Sequence, residues 1–107
     1  MEVYNELGKG FCEIVYKDAI EYEFQLKNIP YEREKSFDIN YKNKKLLHSY
    51  LADFIVYNKV VLEVKAVEQL VSANIKQTIN YLAVSKLKIG LLVNFGESSL
   101  IYKRIIL

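Results

Sequence analysis

The sequence predicts a mixed α/β domain, one sheet flanked by helices, and three observations carry that expectation. Apolar residues recur at helical intervals before Pro30 and again over residues 69–86. Immediately after Pro30 the period changes to two. Two short, strongly apolar runs, Val60–Ala66 and Ile89–Phe95, have strand rather than helix length. The chain's 107 residues fit one domain, 1–107, with a core that needs no metal or disulfide staple.

Residues 2–7 are expected to form a short helix, stopped by Gly8 and Gly10. A second helix runs from Phe11 to about Lys27, with Phe11, Val15, Tyr22 and Leu26 as its apolar stripe. Glu13 and Tyr16, three apart, neighbour each other on it. Pro30 separates it from strand sequence in which Phe37, Ile39 and Tyr41 alternate with Asp38, Asn40 and Lys42. Lys42–Lys45, centred on Asn43, reads as a hairpin turn into a strand from Leu46 to Tyr57. Asn58-Lys59 is a second tight turn, and Val60 to Ala66 a third strand. Residues 69–86 return to helix, with Val71, Ile75, Ile79 and Leu82 on the stripe. Ile89–Phe95 and Leu100–Ile106 are the last strands, joined through Gly96–Ser99. The order is α-β-β-β-α-β-β, counting the first two helices as one layer.

The net charge of +2 says little, but its distribution is uneven. Residues 1–38 hold nine acids and five bases, a balance of −4, and residues 39–107 hold four acids and ten bases, a balance of +6. Three of those four later acids are Asp53, Glu63 and Glu68. A basic half with a few clustered carboxylates suits a polyanion together with a metal ion; a solvated mixed-charge surface is the plain alternative. Cys12 is the only cysteine, which excludes an internal disulfide and suggests a small buried residue. The opening residues from Met1 lack a basic start and an apolar run, and no apolar stretch has the length of a membrane span, so a cytoplasmic protein without membrane attachment is expected.

The chemistry concentrates in Asp53 and in Val60-Val61-Leu62-Glu63-Val64-Lys65-Ala66. On a strand, Glu63 and Lys65 project from one face while Leu62, Val64 and Ala66 project from the other. Charges on so apolar a strand are costly unless they pair or bind a metal. The turn at Asn58-Lys59 sets Asp53 roughly opposite Val64, diagonal to Glu63 and Lys65, within reach if a bulge or twist aligns the faces. Two carboxylates and an ammonium suit phosphodiester hydrolysis with Mg²⁺ or Mn²⁺, the main-chain carbonyl of Val64 serving as a further ligand and Lys65 acting on water or phosphate. Ten Glu and thirteen Lys produce a Glu-x-Lys about once by chance, so the tripeptide alone also fits a cross-strand salt bridge.

Asp53 with Glu63-Val64-Lys65, and the order of elements, resemble the core of the PD-(D/E)XK nuclease superfamily. Gly10-Phe11-Cys12-Glu13-Ile14-Val15-Tyr16 resembles the pattern that names the GxxExxY family of small bacterial proteins within it. Gln77-Thr78-Ile79-Asn80-Tyr81-Leu82, Gly90–Gly96 and Lys103-Arg104-Ile105-Ile106 resemble its later helix and strands. The resemblance implies a restriction-endonuclease-like fold over nearly the whole chain. It also implies roles: Asp53 and Glu63 hold the metal, Lys65 acts on water or phosphate, Glu13 adds a metal or water contact from the first helix, and Gln77 and Tyr81 orient Lys65 or the substrate. The chain departs from the pattern at Ala52, where the superfamily has Pro, at Leu51, where relatives often carry Arg, and at Asn74, where they carry His. His48, the lone histidine, has strand parity opposite to Asp53 and is expected on an exposed strand or turn. Two functions follow as expectations: a metal-dependent nuclease acting on DNA or RNA, or an inactive nuclease-fold module that binds nucleic acid or protein. The apolar last strand adds the expectation of a homodimer.

Overall fold

The computed structural model describes residues 2–107; Met1, where the reading of the leader begins, lies outside them. In chain order the elements are α1 (Glu2–Leu7), α2 (Glu13–Leu26), β1 (Tyr31–Tyr41), β2 (Lys44–Val56), β3 (Val60–Lys65), α3 (Ser72–Ser85), β4 (Ile89–Asn94) and β5 (Ile101–Ile106). They build one sheet in the order β1-β2-β3-β4-β5. Neighbours are antiparallel except β3 and β4, which run parallel because α3 carries the chain back between them. This is the expected mixed sheet with flanking helices.

Two cores lie on the two faces. One gathers Tyr16, Ile20, Phe54, Leu62, Val64, Val93 and Phe95 beneath α1 and α2. The other gathers Tyr50, Ala52, Ile55, Val61 and Leu82 beneath α3. Leu62 and Val64 therefore face α2, which leaves Glu63 and Lys65 on the α3 face, as the period of two requires.

α2 is rotated from its predicted stripe, and α3 keeps only part of its own, Leu82 buried and Ile75 half-buried. α2 buries Tyr16, Lys17 and Ile20, whereas Phe11, Tyr22 and Leu26 are exposed. Tyr16 decides this, stacking on Phe95 at 4.3 Å and donating its hydroxyl to the Gly8 carbonyl at 2.5 Å. α3 buries Thr78 and Leu82 against Gly90, while Val71 and Ile79 are exposed. Cys12 is exposed too, because it occupies the N-cap of α2 outside the core. β1 starts six residues before its alternating apolar set, since Glu32-Arg33-Glu34-Lys35 obscures the pattern.

The β1–β2 pairing holds one register from Tyr31↔Val56 to Asp38↔Ser49, but the strands exchange faces partway. Tyr31 packs in the α2 core and Phe37 in the α3 core, although both are odd-numbered. Likewise Ala52 packs under α3 and Phe54 under α2, both even. The alternation slips at Glu34 and Asp53, the one level between Arg33 and Lys35 that lacks a ladder pair. Glu34 has φ 54, a left-handed conformation rare for a residue with a side chain. That local reversal inserts no residue and is therefore not a bulge; the register shift of this ladder falls further out, between Asp38 and Asn40.

Buried Asn94 fastens the end of β4 to the segment after β3. Its side chain accepts from the Val67 and Gly96 amides at 3.0 and 3.1 Å and donates to the Val67 carbonyl at 2.9 Å and Glu97 at 2.8 Å. A methyl group on Gly96 would run into the Val67 main chain, whereas one on Gly90 meets only side-chain methyls of Thr78 and Leu82 at 3.1 and 3.3 Å. Gly90→Ala should cost about 1–3 kcal/mol, as modest overpacking does. Gly96→Ala should cost clearly more, because backbone cannot yield as a methyl can. Urea unfolding followed by circular dichroism ranks the two, and equal midpoints would contradict this packing.

Candidate active site

The second turn takes three residues, Tyr57–Lys59, with Tyr57 and Asn58 both at positive φ. Phe54 therefore faces Leu62, and Asp53 stands at the level of Glu63 rather than of Val64. At that level the main-chain ladder has stopped, because the last β2–β3 pair is Phe54↔Leu62. Two carboxylates replace it. The Asp53 amide donates to Glu63 Oε2 at 2.9 Å, and the Val64 amide donates to Asp53 Oδ2 at 2.8 Å. Each side chain satisfies a backbone donor on the opposite strand that would otherwise be orphaned.

Glu63 is 4 % exposed. Burial first, then the Asp53 charge, pushes its carboxyl up to about 7; the Asp53 amide, the Tyr50 hydroxyl and the Lys65 charge pull the other way. The Tyr50 hydroxyl is close enough to feel Glu63 yet buried without a partner in hydrogen-bond geometry, so it is a neighbour rather than a bonded donor. Burial, reinforced by Glu63, holds Tyr50 protonated far above the usual phenol range. Tyr81 stacks flat on Tyr50 with ring centroids 3.4 Å apart, and the Phe37 ring lies nearly parallel to Tyr50 at 6.0 Å. Burial, then Glu63 and Asp53, raise the Tyr81 hydroxyl as well.

Of the residues singled out in the sequence, Asp53 and Glu63 thus come together, with Tyr81 stacked beside them on Tyr50; Lys65 shares the Glu63 face and is felt there as a charge, without a side-chain hydrogen bond or ion pair among the described residues. Gln77 is exposed, and Glu13, the first residue of α2, is half-buried; neither makes a side-chain hydrogen bond among the described residues. His48 is exposed. Asn74 has a structural task, accepting the Val71 amide at 2.9 Å and so capping α3. The residue missed from the sequence is Lys17. Its Nζ lies 3.1 Å from Asp53 Oδ1 and 3.4 Å from Glu34 Oε1. Burial works to lower its pKa, but the bonds and charges of Asp53 and Glu34 prevail and raise it. Had the α2 stripe been read from Tyr16 and Ile20, Lys17 would have stood out as a charge on the inner face.

A hollow of about 560 Å³ lies on the other face of the sheet, lined by Ile20, Phe24, Leu62, Leu91 and other apolar residues. It contains none of these charged groups. Among the described residues, no three His, Cys, Asp or Glu side chains converge in a metal cluster, and no helix is long and apolar enough to cross a membrane.

The sequence matches the PD-(D/E)XK nuclease superfamily over residues 1–105, and the chain belongs to that superfamily. Its members generally use divalent metal ions. The fold is similar to the crystal structure of SSO0001, with a TM-score of 0.68 at 20 % identity over 86 % of this chain. The chain spans about half of that one, 49 %. No curated protein matches it in sequence.

The raised Glu63 carboxyl carries a sign that can be measured. The folded state holds this proton more tightly than the unfolded chain, whose carboxyl titrates near 4.5. Stability should therefore fall as pH rises from about 4.5 to about 7, by an amount on the order of 3 kcal/mol for this one group. Glu63→Gln, which keeps an acceptor for the Asp53 amide, should flatten that fall and be the more stable protein at pH 8. Thermal melts at pH 5 and pH 8 test it; parallel profiles for the two proteins would contradict the environment described for Glu63.

Proposed function

We propose that this chain is a metal-dependent nuclease acting on phosphodiester bonds of DNA or RNA, working as one domain over residues 1–107. The observation that carries the reading is the interlock of Asp53 and Glu63 across the parting of β2 and β3, with Lys65 on the same face as Glu63. The donor set suits the metal. Both carboxylates are hard oxygen donors, and burial followed by the Asp53 charge raises Glu63's hold on a proton, so a cation there would be favoured. Asp53 and Glu63 would hold Mg²⁺ or Mn²⁺, with the Val64 carbonyl as a further oxygen and water in the remaining positions. The ion would supply charge neutralisation and an acidified water.

The protein's own groups do the rest. Lys65 presents an ammonium to the phosphate oxygens or the attacking water. Tyr81, fixed by its stack on Tyr50, presents a protonated hydroxyl to the same face, with Gln77 one turn away at the rim. Glu13 would approach from α2 as a metal or water contact. The motif around Gly10, Glu13 and Tyr16 supports assignment to the GxxExxY family.

Nucleic acid also fits the shape. Only Phe54–Val56 of β2 pair with β3, so most of the β1–β2 hairpin projects past the sheet as a two-stranded arm. Its tip carries Lys42, Lys44 and Lys45 beside exposed Tyr41, with Leu47 95 % exposed. The arm is rooted at the level of Asp53, so a polyanion lying along it would pass the carboxylates. A second reading, a nuclease fold that binds without cutting, is favoured by the engagement of both Asp53 oxygens, on Lys17 and on the Val64 amide.

Purified protein should cleave at least one of duplex DNA, single-stranded DNA and structured RNA when Mn²⁺ is supplied, and none in EDTA. Asp53→Asn and Lys65→Met should each lower the rate by about 100-fold or more while leaving the fold intact. Salt-sensitive binding of these substrates with no turnover would replace the nuclease by the binding module. In either case, changing Lys42, Lys44 and Lys45 together to Ala should flatten the dependence of log affinity on log salt by roughly 2–3 units. An unchanged slope would remove the arm from the interface.

A further inference from the structure

We propose that Lys17 is the resident cation of the site: its ammonium holds Asp53 in the absence of a metal ion and withdraws to Glu34 when a divalent cation binds, so that Lys17 sets the affinity for the metal. The inference rests on the reading of Asp53 as a metal ligand.

A lysine only 9 % exposed is costly to bury unless it is paired. Lys17 lies on the inner face of α2 between Tyr16 and Ile20, and its Nζ has two carboxylate partners. The shorter contact, 3.1 Å, is to Asp53 Oδ1; the longer, 3.4 Å, is to Glu34 Oε1. Asp53 Oδ2 is already held by the Val64 amide. Oδ1 is thus the Asp53 oxygen that a metal ion and Lys17 would contest, and an ammonium beside a divalent ion repels it.

Glu34 makes an exchange feasible. Its side chain is half exposed, and the reversed backbone at this residue sets it level with Asp53. When Oδ1 turns to a metal ion, Lys17 keeps an anionic partner, so no buried charge is stranded. One cation shared by two acids thereby supports the metal-free site at the expense of metal affinity. A purely structural salt bridge would lack that second property.

Mn²⁺ binding, measured by calorimetry without any substrate, tests the idea. Lys17→Met should bind Mn²⁺ about tenfold more tightly, the effect of removing a like charge a few ångströms away. Lys27→Met, at the C-cap of the same helix but paired with Glu2 and Glu23, should match the parent protein. Lys17→Met should also melt at a lower temperature in EDTA and gain more from added Mn²⁺. Should Lys17→Met fail to fold, Glu34→Gln serves instead: Lys17 then has Asp53 alone, and Mn²⁺ should bind several-fold more weakly, while the neighbouring Glu32→Gln leaves affinity unchanged. Folded Lys17→Met that binds Mn²⁺ no more tightly than the parent, or Glu34→Gln indistinguishable from Glu32→Gln, overturns the role of Lys17 alone. If the parent protein binds no Mn²⁺ at millimolar concentration, the metal reading of Asp53 and Glu63 falls and takes this inference with it.

Discussion

Beyond Phe54 and Leu62, β2 and β3 stop bonding through their main chains, and the carboxylates of Asp53 and Glu63 take over. A parting of strands normally leaves amides for water to satisfy. Here Glu63 is buried and Asp53 half-buried, between Phe54 of one core and Tyr50 and Ala52 of the other, so little water reaches these amides. Ionised oxygens are strong acceptors for such amides. The acids are consequently part of the sheet's construction, and their positions are fixed with main-chain precision. The same arrangement buries Glu63 and sets the Asp53 charge beside it, and burial first, then that charge, raises Glu63's affinity for a proton.

That geometry depends on the slip of alternation at Glu34 and Asp53. On a regular strand, Asp53 would share a face with Leu51 and Ile55, and its carboxylate would point away from the plane of the sheet. The slip places it between the faces, touching Lys17 of α2 on one side and the Val64 amide in the sheet. Glu34 bears the cost, since a left-handed conformation at a residue with a side chain is strained. Such strain persists only where surrounding contacts over-determine it. Arg33 does this next door, bonded to Asp18 and Glu21 of α2 at 2.8 and 3.0 Å and lying over the Phe54 ring.

The element order, the closeness of Asp53 to Glu63 and the shared face of Glu63 and Lys65 were legible in the sequence because they follow from periodicity and turn chemistry over short spans. What resisted reading was non-local. The face of α2 resisted reading because aromatic and apolar residues populate both of its sides, and that of α3 because Thr78 is buried while Ile79 is not; Phe95 and Gly90, far along the chain, decide which side goes inward. The pairing opposite Asp53 was off by one because a three-residue turn and a two-residue turn share the same Asn-Lys letters. Lys17 was invisible for a related reason. A lysine in a helix is read as solvated until an acid two strands away is known to lie beneath it.

The uneven charge of the chain gains meaning from these placements. The acids before residue 39 are largely consumed locally: Glu2 and Glu23 by Lys27, Asp18 and Glu21 by Arg33, Glu34 by Lys17. Asp53 and Glu63 differ, because between them they have one ammonium in direct contact and a second, Lys65, acting at a distance. A polyanion on the basic arm would worsen that imbalance unless a cation came with it, since phosphate beside ionised carboxylates is repelled. Under the proposed function, charge balance at the root of the arm would link substrate and metal: a divalent ion would favour the phosphate there, and the phosphate would favour the ion. No contact between the two ligands is needed beyond the field of Asp53 and Glu63 that both would experience.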